Sequence, residues 1–397
     1  MRIIYISQEP PYPPYLDGGR LIHSQYAAGL ARKLGGNFEY HYFFDPKEGD
    51  YFGDVKEMVG EDVRAYPMSL GAMKVRLLKY LLGVPIRNPV SLDLREEDVL
   101  IIDGFGLLWF GEAIGHHPVI FFPHDSFSLL YRSMGVSKKN PFLRWFCFGI
   151  GLGLVLLERR ALRYYDRYVV VSEKDADVLS GHTDREVVIL PNGVDCQFFQ
   201  PLGAEKEDDV PKIVFSGVMD YQPNIDAAVW FCGKVLPKIW TELPSTKFMI
   251  VGRNPTQAIM RLSRDKRISA TGEVGEIQPY LGQADVFVAP MVSGAGTKNK
   301  VLQALAMKKP VVATPLGHGG IEDTPAIIEE STSEGFARRV VALLKNPGLS
   351  AELGALGREL VLRKYSWDSS AAKLISLAEQ LAGRSSARTS ENHPHSF

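Results

Sequence analysis

Residues 285–315 read DVFVAPMVSGAGTKNKVLQALAMKKPVVATP, and the order of residue types in this stretch decides the fold. Two short runs rich in β-branched residues, DVFVAP and PVVATP, flank a glycine-rich loop and the apolar segment VLQALAM. Such runs bounded by proline predict buried strands, and the segment between them is long enough for a crossover helix. A strand, a helix and a second strand in this order predict a parallel βαβ unit.

Short apolar runs of this kind recur along both halves of the chain. They include RIIYIS (2–7), VLIID (99–103), PVIFFP (118–123) and RYVVVS (167–172) in the first half, and KIVFSG (212–217) and KFMIVG (247–252) in the second. Helical patterns lie between them, such as the one in which Ile22, Tyr26, Leu30 and Leu34 recur at every fourth position. Strands that alternate with helices predict doubly wound parallel sheets.

A polar, acidic segment from Gly203 to Asp209 separates the two series of strands. A segment of this composition between two periodic regions predicts a linker. We therefore expect two Rossmann-like domains, an N-terminal one over residues 1–200 and a C-terminal one over 206–366.

The end of the chain predicts one more helix followed by a tail. Ser366 is a suitable N-cap for a helix over 367–383, and Gly383 is a suitable stop. We expect this helix to complete the N-terminal domain. Residues 384–397 are polar with no apolar period, and we expect them to be disordered.

Composition excludes several classes of protein. The 397 residues carry 45 Lys and Arg against 46 Asp and Glu, a net charge of -1, so we expect no nucleic-acid partner. The three cysteines, Cys147, Cys196 and Cys232, form no CxxC pair and indicate neither a disulfide framework nor a zinc site. They fit a reducing compartment, and we expect a cytoplasmic protein. The apolar run 145–157 is too short to span a bilayer.

Ligands of parallel sheets bind beyond the carboxyl ends of the strands, so the loops after the strands are the candidate sites. After KIVFS, the loop Gly217 to Asn224 ends in a residue suited to cap a helix whose N-terminus would attract an anion. Arg253 follows the next strand, where its guanidinium could grip a diphosphate. The loop from Thr271 to Gly275 could pair with a base edge. The alternative for the first loop is a plain capped turn, and the alternative for Arg253 is a solvated surface arginine. The alternative for the loop from Thr271 is a simple turn.

The strongest candidate is the loop of the opening stretch, Pro290 to Lys300, which runs directly into a helix. Its two glycines allow backbone amides to approach an anion, and its two lysines add charge where the helix dipole is positive. We predict a phosphate site here, with a flexible Gly-Ser loop as the alternative. The loop matches neither the P-loop nor the GxGxxG pattern, which argues against a dinucleotide-binding dehydrogenase.

Two segments of the first half could face a ligand. Gly18 and Gly19 join the first strand to the first helix and permit close backbone approach, although a turn is the alternative. His124 and Asp125 follow the strand VIFF, where His124 could hydrogen-bond a sugar or acceptor hydroxyl and Asp125 could polarise one. A buried structural histidine is the alternative for His124.

Together these loops resemble glycosyltransferase family 4, whose members are retaining enzymes of the GT-B fold. The resemblance rests on the glycine pair near residue 18 and on the segments 158–173, Pro191-Asn-Gly-Val-Asp195 and 294–317, and their order is more specific than any one of them. Residues 215–227 are also similar to the FxGxMDYxPNxDA pattern of exopolysaccharide-associated sugar transferases. The resemblance implies an α/β protein with two doubly wound domains facing across a cleft.

The resemblance also implies a site for a UDP- or GDP-sugar on the C-terminal domain. The base would lie near Gly272, Glu273 and Val274, and the ribose beside Gln303. The diphosphate would lie against a set of loop residues, namely Gly294, Ala295, Gly296, Thr297 and Lys298. We expect His124, Asp125 and Lys300 to act at the reacting groups, with no metal and no cofactor.

The sequence departs from the family pattern at the charged positions. The family's paired glutamates fall on Ala295 and Gln303, so neither carboxylate is present. Its arginine and lysine after the first C-terminal strand fall on Val218 and Asn224. We therefore expect the phosphate charge to be met by a small set of cations, namely Lys298, Lys300 and Arg253.

Two basic, apolar segments of the first half, 73–82 and 137–145, suit an interface with anionic lipid. Packing on the sheet is the alternative. Our leading hypothesis is a sugar transferase that builds a surface polysaccharide or glycolipid. It would transfer the sugar to a glycan or lipid-linked acceptor, and the protein would contact the inner face of a membrane peripherally. A non-catalytic nucleotide-sugar scaffold and a nucleotide-sugar epimerase are the competing readings.

Overall fold

The computed structural model describes residues 1–12, 18–49, 51–84, 86, 90, 92–114, 117–124, 126–129, 131, 141–202, 209–293 and 299–391. The chain divides into two compact units. The first comprises Met1–Pro191 with Ser370–Phe397, and the second comprises Asn192–Ser369. The predicted linker lies, except for Asp209, outside the described residues.

The first unit contains a seven-stranded sheet in which all recorded strand pairs are parallel, in the order β3-β2-β1-β4-β5-β6-β7. Residues of β1 and β4 are buried on both faces, as expected where helices cover both sides of a parallel sheet. The strands are β1 (Ile3–Ser7), β2 (Phe38–Phe44), β3 (Val63–Pro67), β4 (Val99–Asp103), β5 (Val119–His124), β6 (Arg167–Val170) and β7 (Glu186–Ile189).

Helices of the first unit cover this sheet. The predicted stripe on α1 is confirmed, since Tyr26 and Leu30 are almost fully buried and Ile22 nearly so. The helices are α1 (Gly18–Leu34), α2 (Phe52–Val59), α3 (Leu70–Leu81), α4 (Gly111–Ile114), α5 (Pro141–Leu162) and α6 (Glu173–Ser180), with 3-10 turns over Gly35–Asn37 and Phe105–Leu107.

The second unit contains a six-stranded sheet, also with parallel pairs, in the order β10-β9-β8-β11-β12-β13. The βαβ unit predicted from the opening stretch is present, because β11 and β12 pair in parallel and the helix between them is largely buried. The strands are β8 (Lys212–Ser216), β9 (Lys247–Val251), β10 (Ile268–Ala270), β11 (Val286–Ala289), β12 (Val311–Ala313) and β13 (Ile327–Glu329).

Helices of this unit alternate with its strands. They are α7 (Gln222–Trp230), α8 (Leu236–Glu242), α9 (Gln257–Leu262), α10 (Gln278–Gln283), α11 (Asn299–Ala306), α12 (Pro315–His318), α13 (Ser333–Lys345) and α14 (Pro347–Leu360), with π-helical turns over Phe231–Val235 and Val361–Tyr365.

The final helix, α15 (Trp367–Glu391), corrects the prediction for the chain end. Ser366 does cap it, accepting a hydrogen bond from the Ser369 amide at 3.1 Å. Gly383 does not stop it, because the helix continues for two further turns through part of the segment expected to be disordered. A glycine ends a helix when it adopts positive φ, and Gly383 is not among the glycines that do so.

The predicted domain limits remain close to this division without coinciding with it. The two units separate after Pro191 and again after Ser369, so Ser370 onward belongs to the first unit. There Arg167 Nη1 donates to the Leu377 carbonyl at 3.2 Å and to the Gln380 side chain at 2.9 Å.

Candidate functional site

In the second unit, the carboxyl ends of β8 and β9 open into a cavity of about 350 Å³. Six residues predicted for the site line it: Gly217, Arg253, Glu273, Val274, Lys300 and Gln303. Its other lining residues are Phe198, Ser216, Val218, Val251, Gly252, Gly275, Glu276 and Ile277. The fold therefore brings together side chains from four loops and one helix.

Two glycines allow the loops after β8 and β9 to touch. Gly252 has φ 149° and donates its amide toward Thr271 Oγ1 at 3.4 Å. A Cβ at this position would lie 1.7 Å from the Gly217 carbonyl oxygen, so only glycine fits. The amide of Met219 also donates to the Arg253 carbonyl at 2.8 Å, which ties the two loops together.

Lys300, at the second residue of α11, supplies a cation beside these glycines. Its Nζ donates to Asn224 Oδ1 at 2.6 Å and lies 4.5 Å from the centre of the Phe215 ring. A Cβ on Gly217 would lie 3.0 Å from the same Nζ. Lys300 thus reaches the position, Asn224, at which the family resemblance places a lysine.

The interpretation of Asn224 as a helix cap is wrong. Helix α7 begins at Gln222 after Tyr221, and Asn224 lies inside its first turn. Its buried side chain donates to the Val218 carbonyl at 2.9 Å and accepts from Lys300. The amide therefore shapes the loop and orients the lysine.

Arg253 is exposed at the rim of the cavity, and Gln303 is half-buried in its wall. Gly272 has φ 72° next to the cavity residues Glu273 and Val274. The loop residues Gly294, Ala295, Gly296, Thr297 and Lys298 lie outside the described residues. Their predicted contact with a diphosphate stays a prediction.

A second cavity of the same unit, of about 400 Å³, suits an anion less well. It is lined by His318, Asp323 and Glu329 among others, and none of the predicted donor residues belongs to it. Its lining has two carboxylates and no lysine or arginine, whereas Lys300 and Arg253 offset the two glutamates that line the first cavity.

In the first unit, His124 ends β5 and lies beside a buried carboxylate that sequence reasoning missed. Its Nε2 is 2.5 Å from Asp103 Oδ1, and Asp103 ends the neighbouring strand β4. On the other side of Asp103, His23 Nδ1 lies 2.5 Å from Oδ2. Burial alone would lower the pKa of His23, but the charge and hydrogen bond of Asp103, together with Glu9, raise it to about 10.

No motif of the sequence links these three residues, and His23 lies 80 residues before Asp103 along the chain. The expectation that no metal is bound stays a prediction, although potential ligand atoms of His23, Asp103 and His124 lie within 4.8 Å of one another. Because parallel strands end at the same edge of a sheet, Asp103 and His124, which end neighbouring strands, could have been expected to lie close together. Asp125 lies outside the described residues, and Gly18 and Gly19 form the start of α1.

Residues 210–346 match the family described as Glycosyl transferases group 1. This segment contains every residue that lines the cavity of the second unit except Phe198. The match covers the second unit's sheet, with both loops that meet at Gly252.

Two curated relatives are similar over about half of the chain. A Corynebacterium glutamicum GDP-mannose-dependent monoacylated alpha-(1-6)-phosphatidylinositol monomannoside mannosyltransferase is 24% identical over 48% of this chain and 55% of its own length. A Mycobacterium tuberculosis GDP-mannose-dependent alpha-(1-6)-phosphatidylinositol monomannoside mannosyltransferase is 28% identical over 50% and 56%. The chain thus spans little more than half the length of these relatives.

Solved structures show the fold. A glycosyltransferase from Rickettsia africae superimposes with a TM-score of 0.62 at 14% identity, covering 96% of this chain and 98% of that one. Anabaena Alr3699/HepE in complex with UDP gives a TM-score of 0.61 at 14% identity, covering 96% and 100%. The chain has the GT-B fold, with two Rossmann-like units.

Proposed function

We propose that this protein transfers a sugar from a nucleoside diphosphate sugar to an acceptor hydroxyl with retention at the anomeric carbon. The observation that carries the proposal is the second unit's cavity, where Lys300 and Arg253 lie at the carboxyl ends of β8 and β9. Cations and backbone amides at such an edge suit a diphosphate. The GDP-mannose named for the relatives and the UDP bound by the structural neighbour support this donor class.

The cavity would stabilise charge on the departing group. As the bond between the anomeric carbon and the phosphate oxygen breaks, negative charge grows on the diphosphate, beside Lys300. The acceptor oxygen bonds to the anomeric carbon from the same face, and its proton passes to the departing phosphate oxygen. Each well-placed donor in a site shielded from water contributes roughly 3 kcal/mol to such a step. We propose that His124 positions a hydroxyl of the reacting sugars.

The test is a titration followed by a transfer assay. UDP, GDP and ADP are each titrated into the wild-type chain, and then into Lys300→Ala, Arg253→Ala and Lys298→Ala. We expect one nucleotide to bind and at least one substitution to weaken it about 10-fold or more, the loss of one charge-assisted contact. Wild-type affinity in all three variants would overturn the assignment of the phosphate site.

The stereochemistry of the product distinguishes the competing functions. With the donor that binds and a cell-envelope acceptor fraction, NMR of the product's anomeric proton is expected to show the configuration of the donor sugar. A product whose anomeric configuration is opposite to that of the donor sugar would contradict retention. Binding without turnover would favour a nucleotide-sugar scaffold, and conversion of the free donor without acceptor would favour an epimerase.

We also propose that the first unit docks on an anionic membrane surface, where a lipid-linked acceptor of a surface glycan would be presented. Helix α5 carries an outward stripe at helical spacing in which Trp145, Leu152 and Leu156 are 75%, 67% and 58% exposed. Helix α3, which packs beside it, exposes Leu78, and Leu82 directly after this helix is also exposed. Apolar side chains in such a stripe suit the interface of a bilayer.

The charges on these two helices favour anionic lipid. Their cations are Lys74, Arg76, Lys79, Arg144, Arg159 and Arg160. Over the same spans the sequence has one acidic residue, Glu158, which is buried. Among the described helices, none is both long and apolar enough to cross a bilayer. We propose contact with a membrane surface, on its cytoplasmic face.

Flotation with vesicles of phosphatidylglycerol and phosphatidylcholine tests this surface. Trp145→Asp and Leu152→Asp are each expected to reduce binding about 10-fold, because burial of such a side chain contributes roughly 1.5–3 kcal/mol. Met260→Asp is the control, since Met260 is an exposed apolar residue of the second unit, at 50%. Binding that is absent, or unaffected by high salt and by both α5 substitutions, would refute the proposal.

A further inference from the structure

We propose that Asp103 is a positioning residue, which holds the His124 ring by its Nε2–H and leaves Nδ1 as the acceptor for a ligand hydroxyl. This inference rests on the transferase function proposed above and adds residues that no motif indicated. Asp103 is fully buried at the end of β4, between β1 and β5 in the sheet. Its position at the carboxyl edge places it behind His124, away from solvent.

The two oxygens of the Asp103 carboxylate have different partners. Oδ2 accepts from the Tyr5 hydroxyl and from His23 Nδ1, the latter at 2.5 Å. Oδ1 lies 2.5 Å from His124 Nε2. Because Oδ2 is already engaged by two donors, Oδ1 is the oxygen available to hold the His124 ring.

A chain of alternating charges keeps this carboxylate ionised. His23 Nε2 lies 3.4 Å from Glu9 Oε1, so the His23 ring stands between two carboxylates. Burial alone would raise the pKa of Asp103, but the charge of His23 and the hydrogen bonds from His124 and His23 hold it well below its usual range. An ionised carboxylate can only accept hydrogen bonds, so the proton between Asp103 and His124 lies on Nε2.

The backbone of His124 is arranged to make this contact. His124 has φ 68°, a conformation that residues other than glycine rarely adopt. The pairing of β5 with β6 also shifts register between Phe121 and His124. A distorted strand end whose side chain meets a buried carboxylate is typical of a functional position.

The other ring nitrogen of His124 faces no protein donor in the part of the chain that the structure describes. No hydrogen bond is recorded for either ring nitrogen among those residues, but Nε2 lies 2.5 Å from Asp103 Oδ1, whereas no ion pair is recorded for the buried Nδ1. With the proton on Nε2, Nδ1 carries a lone pair. A hydroxyl of the donor sugar or of the glycosyl acceptor could donate a hydrogen bond to Nδ1, which matches the role proposed for His124.

The same three residues could be read as a metal site, since their ligand atoms are close together. Zinc holds nitrogen and oxygen ligands at about 2.0–2.2 Å, which in a tetrahedron keeps ligand atoms roughly 3.3 Å apart. The two distances of 2.5 Å from Asp103 to the imidazoles are shorter than this, which favours direct hydrogen bonds over a shared metal ion. We therefore assign the cluster to hydrogen bonding.

The first experiment needs no substrate. Long-range ¹H–¹⁵N NMR on the full chain labelled with ¹⁵N-histidine reports which nitrogen of each ring carries a proton, and His124→Gln assigns the His124 signals. We expect the proton on Nε2 and a bare Nδ1 at pH 7.5. A proton on Nδ1 alone would overturn the proposal. Zinc is also added to the chain purified without metal, and binding of one equivalent of zinc with loss of the His124 signals would overturn the proposal as well.

The second experiment separates positioning from structural support. Asp103→Asn is expected to lower kcat for transfer roughly 10- to 100-fold with little change in donor KM, and the double variant with His124→Gln should be no slower than His124→Gln alone. His41→Gln is the matched control, because His41 is a buried histidine of β2 that lies 2.8 Å from a carboxylate of the same strand, Glu39. Additive losses in the double variant, or an equal fall in kcat for the control, would contradict positioning.

The outcomes for the two proposals are distinct. A wild-type chain that transfers no sugar refutes the proposed function, whereas the ring proton of His124 is measured regardless. Transfer by the wild type with an unaffected Asp103→Asn variant retains the function and refutes the positioning role.

Discussion

At the residue scale, Gly252 gives the sharpest test of the cavity. Gly252→Ala would place a Cβ 1.7 Å from the Gly217 carbonyl oxygen, so the loops after β8 and β9 must separate. We expect a loss of about 1–3 kcal/mol in the free energy of unfolding, typical of forced overpacking, and at least a 10-fold loss of nucleotide affinity. Thermal unfolding and calorimetric titration measure the two effects.

Gly275→Ala is the matched control for this substitution. Gly275 lines the same cavity, but a Cβ there meets nothing within 4 Å. It should therefore retain stability and nucleotide affinity. Equal behaviour of the two variants would mean that the close approach at Gly252 does not shape the site.

His23 predicts a pH dependence of stability. Its pKa in the folded chain is raised to about 10, against about 6.5 when unfolded, so the folded state binds the proton more tightly. The resulting stabilisation is complete below pH 6.5 and is lost as pH rises toward 10, by at most about 1.4 kcal/mol per pH unit. Urea unfolding between pH 6 and 10 should show this decline in the wild type and a shallower one in His23→Gln. Parallel curves would contradict the buried ion pair.

Individual site residues were predictable where a loop followed a recognisable strand. Arg253 and Lys300 were found in this way and Gln303 through the family resemblance, and the structure brings all three to one cavity. Asp103 was not found, because its partner His23 is far away in sequence and a lone aspartate at a strand end has no distinguishing pattern. The role of Asn224 was misassigned since its amide bonds to Lys300, a contact that spacing does not show.

At the scale of elements, the final helix gives a prediction about Gly383. This glycine is exposed inside α15, and a Cβ there meets nothing within 4 Å. Gly383→Ala should raise the free energy of unfolding by about 0.5–1 kcal/mol, because alanine loses less entropy in a helix. Circular dichroism with thermal unfolding measures it.

Gly35→Ala serves as the opposite control. Gly35 has φ 51°, where a Cβ is strained although space is open, and we expect a loss of stability. Destabilisation by Gly383→Ala would instead support a helix that ends at this glycine.

Elements with strong local patterns were predictable, and those without were missed. VLIID coincides with β4, and KIVFS with β8, since β-branched runs have one natural conformation in a sheet. Phe38–Phe44 was missed because FEYHYFF alternates polar and aromatic residues, all but the last of them buried. Val63–Pro67 and Glu186–Ile189 are edge strands with exposed residues, where burial provides no apolar signal.

At the scale of the whole molecule, the chain returns to its first unit at the end. Ala371, Leu374 and Ala378 of α15 are fully buried there. A chain that ends after Ser369 should lose about 3–6 kcal/mol of unfolding free energy from the buried leucines of this helix alone. A chain that ends after Glu391 keeps these contacts and should unfold as the wild type does. Identical urea midpoints for the two truncations would contradict the division into units.

The central claim is that the cavity between the β8 and β9 loops holds the diphosphate of a nucleotide sugar. The most direct measurement is a crystal structure of the full chain with UDP or GDP, whichever binds. We predict phosphate density within hydrogen-bond distance of Lys300 Nζ or the Arg253 guanidinium, with the ribose beside Gln303. Nucleotide bound at another place on the chain, or no binding of either nucleotide at millimolar concentration, would contradict it.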